Sequence, residues 1–125
     1  MKEMILSITT AADGSATVNG ESPILGKLFA VEYQWGTLDA TADLTLTCES
    51  LSSKPLLTIT DAAQANAWYY PRDLVHAVSN AAALTGTAGG DRALPIMQGK
   101  VRAVIASGGT LTVRTGTVVI YWEPL

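Results

Sequence analysis

Apolar and polar residues alternate along several short stretches of the chain, and the clearest are residues 4–10 and 42–49. A period of two predicts extended strands with one buried face. The apolar side chains on that face are Met4, Leu6 and Ile8 in the first stretch and Leu44, Leu46 and Cys48 in the second. A strand at residues 4–10 can pair within the domain or exchange with a neighbouring subunit.

Residues 28–35 alternate in the same way, and their odd-numbered positions are all apolar or aromatic. We expect this side of the strand to face the core. The residues on it are Phe29, Val31, Tyr33 and Trp35.

The strongest strand signal covers residues 99–123, where two runs rich in β-branched and aromatic residues flank Gly108 and Gly109. This composition predicts an antiparallel ribbon of two strands. One face of the ribbon carries Val101, Ala103 and Ile105 in the first run and Val118, Ile120 and Trp122 in the second. The opposite face is also partly apolar, which fits a central hairpin of a sandwich or one whose outer face meets another subunit.

Turn signals separate the remaining stretches. Asp13 and Gly14 form a turn pair before a short strand at 15–18, and another short strand is predicted at 56–60. Asp61 can cap one or two helical turns that end at Asn66. The chain is therefore expected to be a single all-β domain over residues 1–125, an antiparallel β-sandwich or jelly-roll-like barrel. It should contain about seven to nine short strands and at most one short helix.

The amino-acid composition limits the kinds of partner that the protein is expected to bind. Only 15% of the 125 residues are charged, against roughly 25% in ordinary soluble domains. Such a surface is either covered by a partner or made of threonine, serine and glycine. The net charge of −3 comes without any basic run, so no nucleic-acid partner is expected. The apolar run at the start is too short to span a bilayer, and no membrane partner is expected either.

No arrangement of residues indicates catalysis or a cofactor. His76 is the only histidine, and Cys48, the only cysteine, falls on an apolar strand face, where a thiol acts as a small hydrophobe. The glycines at 86–90 lack the lysine of a phosphate-binding loop. The acidic residues show no calcium-loop or other metal-ligand spacing. The sequence therefore predicts a protein without enzymatic activity, cofactor or metal.

The segment Trp68-Tyr69-Tyr70-Pro71-Arg72 is the main candidate for a binding site. A residue that precedes proline avoids the helical region, so this segment should be extended. Three interpretations are open: Trp68 and Tyr70 fill the core with Tyr69 opposite, the cluster forms a protein interface, or it stacks on a carbohydrate. The glycine-rich loop after it should reach outward. The interface candidates are Trp68, Tyr69, Tyr70, Arg72, Gly89, Gly90 and Arg92.

Taken in order, several segments resemble small structural proteins of tailed-bacteriophage virions. The segments are residues 28–33 (LFAVEY), 56–61 (LLTITD), 67–72 (AWYYPR), 75–76 (VH), 99–109 (GKVRAVIASGG) and 116–121 (GTVVIY). The resemblance implies a structural component of the particle, made in the host cytoplasm and located in the virion. Whether that component belongs to the head or the tail stays open.

The function expected first is that of a capsid decoration (cement) protein, a homo-oligomer whose partners are the major capsid protein or other virion proteins. A tail or head–tail connector subunit is the next expectation. A carbohydrate-binding module is the third.

Overall fold

The computed structural model describes residues 1–49, 55–74, 92–109 and 112–125. The fold is almost entirely antiparallel β, as the sequence predicts. Its strands are β1 (Lys2–Thr9), β2 (Ala16–Asn19), β3 (Ile24–Gln34), β4 (Asp43–Cys48), β5 (Leu57–Ile59), β6 (Ala67–Tyr69), β7 (Asp73–Leu74), β8 (Arg92–Ala93), β9 (Ile96–Gly99), β10 (Val101–Ala106) and β11 (Thr115–Pro124).

Nine of these strands form two sheets that enclose one hydrophobic core. In the first, which we call sheet A, the order is β1-β11-β3-β6, and β9 pairs with the first half of β3. The second, sheet B, has the order β2-β10-β4-β5. The strands β7 and β8 form a separate two-stranded ladder. This arrangement confirms the predicted all-β sandwich.

The expected C-terminal ribbon is wrong in one respect: its two strands do not pair with each other. β10 pairs with β2 and β4, whereas β11 pairs with β1 and β3. Between them the N–H of Gly108 donates to the Gly14 carbonyl at 2.8 Å, and the N–H of Asp39 donates to the Gly108 carbonyl at 2.9 Å. The connection is thus bonded to loops of the sandwich instead of closing a hairpin.

Placing β10 and β11 in opposite sheets buries the face that each was predicted to bury. Both runs have apolar side chains on one side, and these faces cover each other across the core. The buried side chains are Val101, Ala103 and Ile105 from β10 and Val118, Ile120 and Trp122 from β11. Full burial of an aliphatic side chain contributes about 1.5–3 kcal/mol. The predicted faces are therefore confirmed, and only the pairing differs.

A β-bulge in β3 changes which of its side chains face the core. Tyr121 lies opposite Ala30 while Trp122 lies opposite Leu28, so Phe29 is an extra residue between them. Leu28 points inward before the bulge, and Val31 and Tyr33 point inward after it, whereas Ala30 is buried opposite the outward-pointing Tyr121. The expectation for Val31 and Tyr33 is confirmed. It is wrong for Phe29, which the bulge turns to the outside, where its side chain is 36% exposed.

The short helix predicted after Asp61 is absent, since residues 61–66 form bends without helix. Asp61 has a left-handed φ of 51°, which a helix cannot continue. Its N–H donates to the Asp43 carboxylate at 2.9 Å, which fixes the chain at the end of β5. No helix in the described ranges is long and apolar enough to cross a bilayer.

Candidate interaction surface

All the aromatic residues of the chain lie in sheet A strands or directly after them. Tyr33 and Trp122 are buried on the inner side, and Trp35 and Tyr69 also pack against the core. The four on the outer side are Phe29, Trp68, Tyr70 and Tyr121, and we call this side the aromatic face. It contains the segment that the sequence singles out for binding.

Trp68 and Tyr121 form a stacked pair in the middle of the aromatic face. β6 places Trp68 beside Glu32 of β3, and the ring of Tyr121 reaches it from β11. The ring centroids are 5.1 Å apart, with an interplanar angle of 27°. Trp68 nevertheless remains 49% exposed. Such a pair contributes about 0.5–1.5 kcal/mol beyond its burial, so the indole is held in place while half of it faces solvent.

Phe29 and Tyr70 form a second pair next to the first. Their rings meet edge to face, with centroids 6.4 Å apart and an interplanar angle of 89°. Tyr70 is 58% exposed, because β6 ends at Tyr69 and Pro71 follows. The bulge in β3 is what brings Phe29 into reach of this pair.

Arg72 fixes the end of the aromatic segment. Its Nη1 donates to the Phe29 carbonyl at 3.0 Å and to the Pro71 carbonyl at 2.6 Å. The guanidinium carbon lies 5.7 Å from the centroid of the Phe29 ring, within cation–π range. Arg72 therefore holds the segment on β3 and keeps one cationic group at the border of the aromatic face.

A polar row borders the stacked pair. Gln34 donates from Nε2 to Glu32 Oε1 at 3.1 Å. Desolvation raises the pKa of Tyr121, and the charges of Glu3 and Glu32 and a hydrogen bond to Glu32 raise it further. The phenol is thus kept protonated as a donor, and the carboxylate of Glu32 accepts from both neighbours.

Further exposed apolar side chains extend this surface. Ile5 of β1, Leu25 of β3 and Ile96 of β9 are each about half exposed, at 59%, 50% and 49%. Leu25 directly precedes the buried Gly26, and Ile96 directly precedes the buried Met97. Because neighbouring residues of a strand point to opposite sides, Leu25 and Ile96 point outward. Exposed apolar side chains that gather on one side of a sheet are typical of interaction surfaces.

The structure places the predicted interface residues at different positions. Trp68 and Tyr70 are exposed and Tyr69 points inward, so the interpretation of Trp68 and Tyr70 as core residues is wrong. β6 pairs with β3 in the register that directs Ala67 and Tyr69 to the core. Arg72 lies beside the aromatic face. Arg92 is in β8 opposite Leu74, whereas Gly89 and Gly90 lie outside the described residues.

Sequence reasoning missed two members of the aromatic face, Phe29 and Tyr121. Tyr121 was recognisable, since it alternates with the apolar Ile120 and Trp122 and falls on the opposite side of the strand. Phe29 was not, because the alternation of 28–35 gives no sign of a bulge. Residues 28–31 are all apolar, so the sequence pattern does not show where an extra residue would lie.

Other chemistry is sparse in the described part of the chain. Cys48 is a free, buried thiol, and those residues contain no group of three or more His, Cys, Asp or Glu side chains that could hold a metal ion. A cleft of about 170 Å³ on sheet B includes Glu49, Lys100 and Arg102. Glu49 accepts from the Lys100 N–H at 2.9 Å, and Arg102 Nε donates to Asn19 at 3.0 Å. The carboxylate and the guanidinium there are thus engaged in structural bonds. His76 lies outside the described residues.

The aromatic face combines a stacked pair, an edge-to-face pair and a fixed guanidinium on one side of a sheet. Aromatic and arginine side chains in such a cluster are typical of the energetic centres of protein interfaces. Comparison with protein-family models, curated proteins and solved structures finds no match to this chain.

Proposed function

We propose that this chain is a structural protein of a tailed-bacteriophage particle, and specifically a capsid decoration protein that binds the assembled head through its aromatic face. It is made in the host cytoplasm and resides in the virion, where its partner is the major capsid protein or another virion protein. The proposal includes no catalysis and no nucleic-acid or membrane partner. It joins the sequence resemblance to virion proteins with one observation, the exposed aromatic face.

The aromatic face supports a binding role because the exposure of its apolar surface to water is unfavourable in free energy. Burying exposed apolar surface contributes about 25 cal/mol per Å². Trp68 and Tyr70 are each about half exposed, at 49% and 58%, in a chain with few charges. Their neighbours hold them in fixed positions, so little side-chain entropy is lost when a partner covers them.

The proposed mechanism is stabilisation of the assembled capsid shell by mass action. A protein that binds assembled capsomers and not free subunits stabilises the assembled state by RT ln(1 + [L]/Kd) at each site. Many identical sites on a shell multiply a modest contact into a large total. The aromatic pairs would supply the apolar anchors, and Arg72 would face a carboxylate or carbonyl of the shell.

Purified particles of the phage that encodes this chain provide the test. Quantitative gel analysis should give hundreds of copies per particle, and a particle map should place them on the head surface. Recombinant protein added to particles that lack it should bind and raise their resistance to heat. Absence of the protein from purified particles would overturn the proposal.

A paired variant tests the face itself. Trp68→Ala should reduce binding to particles, because the indole is the central exposed anchor. Thr45→Ala in β4, on the outer side of sheet B, is the matched control and should bind normally. Equal binding by both variants would show that the aromatic face is not the contact.

The copy number also tests the first alternative, a tail or head–tail connector subunit. A connector or tail ring holds a small, symmetric number of subunits instead of hundreds. A ring-sized count would therefore replace the head assignment while keeping the virion assignment.

A carbohydrate-binding module is the second alternative, and the Trp68 site is the observation that favours it. Half of the indole is open beside Glu32 and Gln34, whose polar groups could bond sugar hydroxyls while the ring stacks on sugar C–H groups. A glycan array is the direct measurement. Binding that is lost in Trp68→Ala would support the module, and an array without any signal would reject it.

A further inference from the structure

β1 forms one edge of sheet A, and its only partner among the described strands is β11. Beyond the end of β1, the N–H of Thr10 donates to the Arg114 carbonyl at 2.8 Å. Backbone groups of alternate residues point to opposite sides of an antiparallel strand. Even-numbered residues of β1 therefore bond to β11, and the N–H and C=O groups of Glu3, Ile5, Ser7 and Thr9 point to the open edge.

Apart from Lys2 at its start, this edge lacks the features that usually prevent pairing with another chain. β1 is eight residues long, contains no proline and keeps an unbroken register with β11. Natural edge strands are commonly protected by prolines, bulges or inward-pointing charges. Along most of β1 the inward side chains are apolar instead. Ile5, in the middle of the strand, is 59% exposed on the outer side.

We propose that β1 pairs antiparallel with β1 of a second copy of this chain, with Ile5 opposite the partner's Ile5. In this register Glu3 lies opposite the partner's Ser7, and Met4 lies opposite the partner's Leu6. The edge groups of residues 3, 5 and 7 form about six hydrogen bonds across the two-fold axis. Sheet A then continues from one copy into the other.

Self-complementarity selects this register and this occupant. Odd residues must meet odd residues, because only they point to the edge. A register centred on Glu3 would place two carboxylates opposite each other, which is unfavourable. Registers centred on Met4, Leu6 or Ser7 would leave Ile5 opposite Glu3, Ser7 or Thr9 respectively. The register centred on Ile5 pairs the two Ile5 side chains and places Met4 opposite Leu6, and it opposes no like charges.

The two sides of the extended sheet support the same arrangement. On the inner side, the partly buried Met4 packs at the border of the core, and the partner's Leu6 would continue that apolar row. On the outer side, Ile5 lies next to Val119, which is only 4% exposed. The partner's Ile5 would cover the open flank of this pair. This inference rests on the β1 edge alone and does not depend on the proposed function.

Disulfide trapping tests the register. Two cysteines opposite each other in a hydrogen-bonded pair have Cα atoms about 5.5 Å apart, within the range of a disulfide. Ile5→Cys should therefore give a covalent dimer under mild oxidation. Ser7→Cys is the matched control, because its two copies would lie about 13 Å apart along the strands. The native Cys48 is buried and should not cross-link.

Sedimentation of the full chain tests the dimer without a cross-link. Wild type should give a dimer mass at about 100 µM, a concentration suited to a weak interface. Ser7→Pro removes an N–H that points to the open edge, so it should leave β11 paired and weaken the dimer at least about tenfold. Ser7→Ala should dimerise normally. Circular dichroism confirms that each variant is folded.

Three results would overturn the proposal. The first is a wild-type monomer at every concentration. The second is a Ser7→Cys variant that cross-links as readily as Ile5→Cys. The third is a folded Ser7→Pro variant that still dimerises, together with a Leu25→Lys variant that is monomeric. Leu25 lies on the outer side of sheet A away from the β1 edge, so this pair of results would place the dimer contact on that side instead.

Discussion

The two sheets bury the same kind of core but present different outer sides to solvent. Sheet A carries all the aromatic residues of the chain, in its strands or directly after them. Every large, exposed apolar side chain located in a described strand also belongs to sheet A. The outward positions of sheet B hold mainly small or hydrophilic side chains. They include Thr17, Asn19, Thr45, Thr47, Thr58, Arg102 and Val104.

This difference shows that the aromatic face is not a by-product of building sheets from this chain. Threonine is β-branched and suits a strand, and its hydroxyl suits water, so the outer side of sheet B needs few charges and no aromatic ring. The low charge fraction allowed two explanations, a surface covered by a partner and a surface of small polar residues. The first explanation fits the outer side of sheet A, and the second fits the outer side of sheet B.

Making the aromatic face resemble sheet B should produce the largest effect. The triple variant Phe29→Thr, Trp68→Thr and Tyr70→Thr should fold, since all three side chains are substantially exposed. Its affinity for phage particles should fall about 100-fold, or about 2.7 kcal/mol, because the apolar anchors are lost. Co-sedimentation with particles measures this. Thr45→Ala with Thr58→Ala is the control for sheet B, and an equal loss there would remove the distinction between the faces.

On the inner side of sheet A, Gly26 lies against the ring of Trp122. A methyl group at Gly26 would collide with that ring and with the Glu123 carbonyl oxygen. Gly26→Ala should therefore lower the free energy of unfolding by about 2 kcal/mol, as overpacking does.

The matched control is Gly20→Ala. There the nearest atom is the flexible thioether sulfur of Met4, 2.9 Å from the added carbon, and it can move. Urea denaturation of both variants measures the difference. Equal losses would mean that the inner side of sheet A can adapt to an added methyl group.

A third prediction concerns Tyr33, whose buried hydroxyl has no hydrogen-bond partner among the described residues. Tyr33→Phe removes this unsatisfied group and should raise the free energy of unfolding by about 1 kcal/mol. Urea denaturation near neutral pH measures the gain. A loss of similar size would show that the hydroxyl has a partner.

The same residue predicts a pH dependence. Burial raises the pKa of Tyr33, and the nearby Tyr69 raises it further. The folded state thus disfavours the phenolate, so stability is full below the ordinary tyrosine pKa of about 10 and falls as the pH rises above it. In Tyr33→Phe the alkaline loss should be smaller. Identical alkaline loss in both proteins would assign it to other tyrosines.

The smallest effect is expected in the turn that leads from sheet A to sheet B. Hydrogen bonds from the Ser15 hydroxyl and N–H lower the pKa of Asp13. The stabilisation from Asp13 is present above the ordinary aspartate pKa and is lost as the pH falls through the lowered folded value. Ser15→Ala should raise the pKa of Asp13, which an NMR titration of its carboxyl group measures. An unchanged pKa would contradict the role of the hydroxyl.

Much of the fold was predictable from the sequence, because a period of two reports directly on which side of a strand is buried. The inward residues of β1, β4, β10 and β11 all follow from it. Strand pairing does not, since the same pattern fits any neighbour. The pairing of β10 and β11 with other strands depends on long-range contacts, such as the hydrogen bonds of Gly108 to Gly14 and Asp39.

The candidate site was predictable as a segment but not as a surface. Residues 68–70 are all aromatic, so hydrophobicity cannot choose between the two possible faces. The choice is made by the pairing of Trp68 with Glu32, which places the indole on the outer side. Phe29 joins that side only because β3 contains one extra residue, and a bulge depends on the partner strand.

The position of β11 has a consequence for the order of events during synthesis on the ribosome. β11 lies between β1 and β3 in sheet A but is translated after both. Until the segment 115–124 has emerged, β1 lacks its partner and β3 can pair only with β6 and β9, so the sheet is completed late and through long-range contacts. Tyr121, the ring on which Trp68 stacks, arrives with that same segment. A nascent chain therefore cannot present the complete aromatic face before residues 115–124 have emerged.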